Sequence, residues 1–96
     1  MKSEYFQEIL QKMAQDDSLA DWIWRNFPDL ARANVMATSL KTKSEGIALL
    51  KGFADKFPYS SNVCALVAQA LAEDGRQDEA IEFVRSRFPK YFPVSK

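Results

Sequence analysis

A chain of 96 residues with balanced charge suits one small globular domain and argues against several classes of function. Hydrophobic residues make up 47 % of it, and 13 Lys and Arg balance 13 Asp and Glu, so the net charge is zero. Nucleic acids and anionic membranes both attract clustered positive charge, so neither is expected as a partner. The single Cys cannot form an internal disulfide, and the chain has no His to serve as a general base or metal ligand.

The N-terminal segment is not expected to be a targeting sequence. MKSEYFQEILQK carries charges on both sides of its few apolar residues, unlike the unbroken apolar core of a signal peptide. No apolar run approaches the roughly 20 residues of a membrane span. We therefore expect a cytoplasmic protein with no membrane partner.

Apolar residues recur at intervals of three and four along the whole chain, which predicts about six short helices and an all-α fold. The inward-facing stripes of the first three helices are Tyr5, Phe6, Ile9, Leu10 and Met13; Leu19, Trp22, Ile23 and Phe27; and Leu30, Ala33, Ala37 and Leu40. The stripes of the last three are Ile47, Leu50, Ala54 and Phe57; Cys64, Val67, Ala68 and Leu71; and Ala80, Ile81, Val84 and Phe88.

Several helix starts are marked by short polar residues, whose side chains can accept hydrogen bonds from free backbone N–H groups. The candidates are Asp16, Asp17 or Ser18 for the second helix, Ser44 for the fourth and Asp78 for the sixth, and the fifth helix is expected to start near Ser61. The third helix is expected to run from about Asp29 to Leu40. Gly75 is expected to end the fifth helix in the left-handed conformation that glycine adopts at least cost.

The six helices are expected to form three antiparallel hairpins, over residues 3–27, 28–58 and 61–93 of one domain that spans 1–96. Each hairpin ends in the same dipeptide, at Phe27-Pro28, Phe57-Pro58 and Phe92-Pro93. A Phe in the last turn can fix a helix to its neighbour, and Pro lacks the N–H that another turn would need. Pro89 is expected to halt the sixth helix ahead of the last of these pairs.

A shift of 34 residues aligns the second hairpin with the third and places Gly46 and Ala80 at the same point. Helix, turn and helix at this period are typical of the tetratricopeptide repeat. The segment ALVAQALAEDGRQDEAIEFVRSRFPKYFP resembles one such unit closely. Gly75 matches the glycine of its turn, and Ala68 and Ala80 match the small residues where the two helices approach most closely.

The segment PDLARANVMATSLKTKSEGIALLKGFADKFP is a weaker copy of the unit. Gly46 matches the family pattern, whereas Asn34 replaces a small residue and Lys41 replaces the glycine of the turn. The resemblance covers residues 27–93 and implies a fragment of a right-handed solenoid, with residues 3–27 as a degenerate N-terminal hairpin.

The resemblance implies a non-catalytic module that binds another protein or peptide, as an adaptor, an assembly factor or a small chaperone. In that family the first helix of each unit lines a concave groove. The matching positions here are Ala31, Val35, Thr38 and Ser39 in one unit and Ala65, Gln69, Ala72 and Glu73 in the next. This lining is small and nearly neutral, and it lacks the Lys and Asn with which the family binds C-terminal carboxylates.

Aromatic residues outside the predicted groove are further candidates for partner contacts. Trp24 lies with Ala20 on a different face from Trp22, so either the second helix is sandwiched between the first and third helices or Trp24 contacts another chain. The tail RFPKYFPVSK places Tyr91, Phe92 and Val94 after Pro89. Either this tail folds back as an irregular cap, or a partner covers it together with Phe83. The alternative function is therefore a self-associating structural subunit that forms a homodimer through its aromatic ends.

No pattern in the sequence predicts catalysis, a metal or a cofactor. Cys64 has no His to activate it and lies on an apolar helix face, so we expect a buried core thiol. The carboxylate pairs lie at predicted helix ends, where they cap N–H groups or remain in water. Lys41, Lys43 and Lys51 form a mild basic patch, for which a solvated surface is expected.

Overall fold

A computed structural model of the chain describes residues 3–92, with the side chain of Ser3 left aside. Its helices are α1 (Ser3–Gln15), α2 (Ala20–Asn26), α3 (Pro28–Met36), α4 (Lys43–Lys56), α5 (Ser61–Glu73) and α6 (Gln77–Arg87), followed by a 3-10 helix at Pro89–Tyr91. Residues 3–92 contain no strand, so the predicted all-α fold with six helices is confirmed. None of the helices in this range is long and apolar enough to cross a membrane.

Helix α5 is the centre of the fold. Eight of its 13 residues are buried, and it packs against α1, α4 and α6, while α3 packs against α4. A helix surrounded by others needs apolar residues on nearly every face, and the segment SNVCALVAQALAE supplies them. Its predicted stripe is confirmed, since Cys64, Val67, Ala68 and Leu71 have no exposed surface.

Most of the other predicted stripes are also buried. The buried members are Phe6, Ile9, Leu10, Met13, Ile23, Leu30, Ala33, Ala37, Ile47, Leu50, Ala54, Ala80, Ile81 and Val84. The exceptions in α1 and before α2 are Tyr5 and Leu19, which are 41 % and 49 % exposed. Burying these stripes against one another is the main source of stability available to a domain of this size.

The predicted end of α3 was wrong. The helix ends at Met36, and Leu40 is 90 % exposed in the connection to α4. Hydrogen bonds from two threonine side chains accompany this earlier end. The hydroxyl of Thr38 donates to the carbonyl of Val35 (2.7 Å), and that of Thr42 donates to the carbonyl of Met36 (2.8 Å). Such bonds occupy carbonyl groups at the helix end and favour a turn over further helix.

The predicted helix caps are correct in part. Ser60 accepts a hydrogen bond from a backbone N–H in the first turn of α5 (3.1 Å). Before α2, a carboxylate oxygen of Asp17 accepts from the N–H of Leu19 (2.9 Å). Ser44 and Asp78 do not precede their helices but lie inside the first turns of α4 and α6. An acidic residue in the first turn, such as Asp78, still interacts favourably with the helix dipole.

The turn between α5 and α6 has the conformation expected for glycine. Gly75 has a φ of 77°, within the left-handed region. The N–H of Arg76 donates to the carbonyl of Leu71 (2.9 Å), and the N–H of Gly75 donates to that of Ala72 (3.1 Å). This pair of bonds is the Schellman motif, which satisfies the free carbonyls at a helix end.

Small residues occupy the matching points of α4 and α6. Gly46 of α4 lies against the end of α3, and a β-carbon built on it would be 2.7 Å from Cα of Ala37. Ala80 occupies the corresponding point of α6 and has no exposed surface. A larger side chain at either position would force the two helices apart.

Three Phe-Pro junctions share one backbone conformation. The φ and ψ angles are −129° and 77° at Phe27, −123° and 67° at Phe57, and −133° and 62° at Phe88. In each case the N–H of Phe still donates to the carbonyl four residues earlier, and Pro then prevents further helix. The third junction is Phe88-Pro89, so the predicted halt of the sixth helix at Pro89 is confirmed. The pair Phe92-Pro93 stays a prediction, because Pro93 lies outside the described residues, as does Val94.

The segment 3–27 does not form a packed pair of its own. The main neighbour of α1 is α5, and that of α2 is α3. With only seven residues, α2 is too short to cover the apolar stripe of α1, whereas α5 offers a longer apolar face. Hydrogen bonds also join α1 to α5. Ser61 donates to the carbonyl of Met13, and the side chain of Asn62 donates to the carbonyl of Ala14 (3.0 Å).

Candidate partner-binding surfaces

A shallow groove lies between α1 and α5. Its volume is about 180 Å³, and its lining residues are Gln7, Leu10, Gln11, Ala14, Asn62, Ala65, Leu66 and Gln69. Leu10 and Ala65 are buried and form the floor, while the amide side chains stand at the rim. Among the described residues, no charged side chain lines this groove. Two of the predicted binding residues, Ala65 and Gln69, are therefore part of one concave surface.

The amide side chains at the rim differ in whether they already form hydrogen bonds within the chain. Gln69 donates to the carboxylate of Glu73 (2.9 Å), so the predicted Glu73 orients the amide from beyond the end of the groove. The amides of Gln7 and Gln11 make no side-chain hydrogen bond to any residue between 3 and 92. Each presents one acceptor and a two-proton donor on the α1 side of the groove.

Asn62 forms the fixed wall at one end of the groove. Its side chain donates to the carbonyl of Ala14 (3.0 Å) and accepts from the indole N–H of Trp24 (2.9 Å). Its backbone N–H donates to a carboxylate oxygen of Asp17 (3.3 Å). With three intramolecular partners, Asn62 links α1, α2 and α5 and is committed to the fold.

Trp24, and not Trp22, lies on the inward face of α2. Trp24 is half-buried and packs against the core, together with Ala20, Ile23 and Phe27. These four residues follow the spacing i, i+3, i+4, i+7 of one helix face. Trp22 lies outside that face and is 51 % exposed, so its predicted place in the inward stripe was wrong. Its ring rests edge-on against Phe27, with centroids 5.8 Å apart.

Val35 and Thr38 lie apart from the groove. Both are exposed at the end of α3, Val35 at 66 %. The family pattern places such positions beside Ala65 and Gln69, but here the groove face of α5 is lined by α1. The structure therefore does not bring the two predicted sets of groove residues together.

The C-terminal segment up to Phe92, the last described residue, folds back toward the connection between α1 and α2. Tyr91 packs edge-on against Phe88 (centroids 6.2 Å apart), and its hydroxyl donates to the carboxylate of Asp16 (3.1 Å). Burial, together with the hydrogen bond to Asp16, raises the pKa of Tyr91 above its ordinary value. Residues 88–92 thus fold back onto the chain, as an irregular cap would, and coverage of these rings by a partner stays a prediction.

The other two predicted aromatic contacts also have partners within the chain. The guanidinium of Arg87 lies 3.8 Å from the ring centroid of Phe83, and that of Arg85 lies 5.3 Å from the centroid of Phe92. Both rings are half-buried. Cation–π contacts of this kind cover the ring faces that a partner would otherwise contact.

Cys64 is the buried thiol predicted from the sequence. It has no exposed surface, and burial raises its pKa to about 11, although the positive charge of Arg87 acts in the opposite direction. A thiol in this state is a poor nucleophile, because the reactive form is the thiolate. Among residues 3–92, no group of His, Cys, Asp and Glu is arranged to hold a metal ion.

The outer face of α4 is a surface that the sequence analysis missed. Leu49 is 46 % exposed and, with Phe53, lines two shallow cavities of about 260 and 250 Å³. The first cavity also touches Asp29 and Arg32, and the second touches Gly52 and Lys56. The spacing of residues 45, 49, 52 and 56 in steps of four, three and four marks a helix face and could have revealed it.

No protein-family model, curated protein or solved structure matches this chain, so its function has to be inferred from these surfaces.

Proposed function

We propose that the protein is a non-catalytic interaction module of tetratricopeptide-like type, which binds an extended, uncharged segment of another protein between α1 and α5. The observation that carries this proposal is the lining of the groove, which combines an apolar floor with a rim of amides and contains no charged side chain. Adaptor, assembly factor and small chaperone are the roles that such binding would serve.

The groove lining selects for an uncharged peptide. The floor around Leu10, Ala65 and Leu66 can bury apolar side chains, which is where the binding free energy would come from. Gln7 and Gln11 can each donate to and accept from a peptide backbone. A charged residue on the ligand would lose its hydration here without gaining an opposite charge, which disfavours charged segments.

Features of the helix pairs support the tetratricopeptide-like assignment. The close approach at Gly46, the buried Ala80 and the left-handed Gly75 are the properties expected of that repeat at these positions. The right-handed solenoid over residues 27–93 is part of this proposal. Helix α1 then acts as the second wall of the groove, in the place where an array would put the first helix of another unit.

Peptide selection tests the proposal directly. A library of random peptides displayed on phage is selected on the full chain, and the recovered peptides are titrated by calorimetry. Uncharged sequences are expected to dominate. The double variant Gln7→Ala/Gln11→Ala should bind about tenfold more weakly, since each lost hydrogen bond is worth about 0.5–1.5 kcal/mol.

Gln15→Ala provides the matched control, because Gln15 is exposed on α1 outside the groove and its loss should leave affinity unchanged. Recovery of mainly charged peptides, or equal binding by both variants, would contradict the proposal.

The alternative, a homodimer joined through the aromatic ends, receives no support from Tyr91 and Phe92, whose rings have partners within the chain.

A further inference from the structure

Gly52 is a glycine for which the single chain gives no reason. It lies inside α4, where glycine costs roughly 1 kcal/mol relative to alanine. Apart from its chain neighbours and the backbone of its own helix, no atom of residues 3–92 would lie within 4 Å of a β-carbon built on it, and its φ is not positive. Gly46, in the same helix, has a clear purpose because a neighbouring helix lies against it. The open space around Gly52 raises the question of what fills it.

Gly52 belongs to a four-residue line that we call the outer seam of α4, consisting of Glu45, Leu49, Gly52 and Lys56. At about 100° per residue, these positions fall within an arc of about 60°. The buried residues Ile47, Leu50 and Ala54 occupy the opposite side of the helix. All four seam residues are exposed. Spacings of four, three and four are those of a helix seam that packs against a second helix.

The charges beside the seam are already paired on the α6 side. Lys51 and Asp55 face α6, where the ammonium of Lys51 lies 3.2 Å from Glu79 and the carboxylate of Asp55 lies 3.9 Å from Arg87. Asp29 and Arg32 flank the seam on the α3 side and carry opposite charges. Glu45 forms no ion pair with any residue in the described part of the chain. The seam therefore ends in an acidic group at one end and a basic group at the other.

The order of residues along the seam is acid, large, small, base. Read in the opposite direction, it is base, small, large, acid. We propose that the outer seam of α4 binds a second copy of this chain, with the two α4 helices antiparallel about a two-fold axis. That arrangement places Leu49 in the space over Gly52 of the partner copy and Glu45 beside the partner's Lys56. Both contacts then occur twice, as an isologous interface requires.

The same arrangement determines where the flanking residues lie. Ala48 and Phe53 lie on opposite sides of the seam, so the two-fold axis places each Phe53 on the same edge as Phe53 of the partner copy and each Ala48 on the same edge as the partner's Ala48. The ammonium of Lys56 lies 4.6 Å from the ring centroid of Phe27, which holds it at the end of the seam. The zero net charge adds no long-range repulsion between copies.

A second copy is the occupant we propose because the seam's own inverted sequence places large opposite small and acid opposite base. A seam of three helical turns is short, so the interface belongs to the weak end of specific contacts. We expect a dissociation constant between about 10 µM and about 1 mM. This inference is independent of the α1/α5 groove, which lies on other helices.

Sedimentation equilibrium on the full chain, in a concentration series that reaches about 1 mM, tests the dimer. Gly52→Glu should weaken dimerisation about tenfold or more, since it fills the space and adds a like charge on both copies. Because Gly52 has open surroundings, the variant should keep its helical circular dichroism. Gln15→Glu adds the same charge at an exposed position of α1 and should leave the dimer unchanged.

A charge exchange tests the antiparallel register and does not depend on Gly52. Glu45→Lys and Lys56→Glu should each weaken the homodimer, by about tenfold. Mixed in equal amounts, these two variants should associate more tightly with each other than either does with itself, because every facing pair is then opposite in charge. A wild-type chain that stays monomeric at about 1 mM overturns the proposal, and so does a dimer insensitive to Gly52→Glu and to the exchange.

Discussion

Gly46 lies directly against the backbone of Ala37, and this contact sets the distance between α3 and α4. A β-carbon on Gly46 would be 2.7 Å from Cα of Ala37 and equally close to the carbonyl carbon of Met36. Both neighbours are backbone atoms, which cannot move aside by a change of rotamer. The contrast with Gly52, which has nothing within 4 Å, makes α4 a helix in which two glycines serve different purposes.

Substituting alanine at these two positions should give opposite effects on stability. Gly46→Ala should lower the free energy of unfolding by about 1–3 kcal/mol, since the overlap outweighs the gain in helix propensity. Gly52→Ala should raise it by about 0.5–1 kcal/mol. Urea denaturation at dilute concentration, where any dimer has dissociated, measures both. A stabilised Gly46→Ala variant would show that α3 and α4 are further apart than described.

The left-handed turn at Gly75 gives a second prediction. Gly75→Val should cost about 1–2 kcal/mol, because a β-branched residue tolerates a φ of 77° poorly. Gly75→Asn should cost less, since asparagine enters this conformation more readily. Thermal unfolding of the three proteins gives the ranking. Equal melting temperatures for the two variants would mean that the turn relaxes to an ordinary right-handed conformation.

The helices and most of the core followed from the sequence because they depend on local spacing. Ile47, Leu50 and Ala54 recur at intervals of three and four, which places them on one face of α4. That face is the buried one. The conformation of Gly75 was also predictable, because a single glycine between two helical segments commonly ends the first helix in the left-handed conformation.

The errors arose where two local patterns competed or where distant segments decide the packing. In α2, stripes through Trp22 and through Trp24 both fit helical spacing, and only the position of Asn62 on α5 selects Trp24. The pairing of α1 with α5 leaves no trace in local periodicity. The outer seam of α4 was overlooked because Gly52 reads as a weak point of a helix.

The buried position of Ala80 gives a third prediction. Ala80→Leu keeps helix propensity nearly constant, so its effect measures packing. Since Ala80 has no exposed surface, the three added carbons should lower the free energy of unfolding by about 1–3 kcal/mol. Ala31→Leu makes the same change at an exposed position of α3 and should have little effect. If both variants unfold like the wild type, the face of α6 that contacts α5 is open, and the tetratricopeptide-like assignment fails.

The hydrogen bond between Trp24 and Asn62 gives a fourth prediction. Trp24→Phe removes the indole N–H that donates to Asn62 at 2.9 Å and should cost about 1–3 kcal/mol, including the loss of buried ring area. Trp22→Phe alters a ring that is 51 % exposed and should cost less than about 1 kcal/mol. Chemical denaturation measures both changes. A larger loss of stability for Trp22→Phe than for Trp24→Phe would mean that Trp22, and not Trp24, faces inward.

The buried thiol predicts how stability changes at alkaline pH. Burial raises the pKa of Cys64 from 9.0 to about 11, so between these values the unfolded chain loses a proton that the folded chain keeps. Stability from this group is present below pH 9 and is lost as pH rises through the folded pKa, at up to about 1.4 kcal/mol for each pH unit. The difference between the wild type and Cys64→Ala isolates the contribution of this thiol. That difference in unfolding free energy should be constant near pH 7–8 and should shrink by up to about 3 kcal/mol as pH approaches 11. A difference that does not change with pH would show that water reaches the sulfur and that α5 is less enclosed than its neighbours α1, α4 and α6 make it.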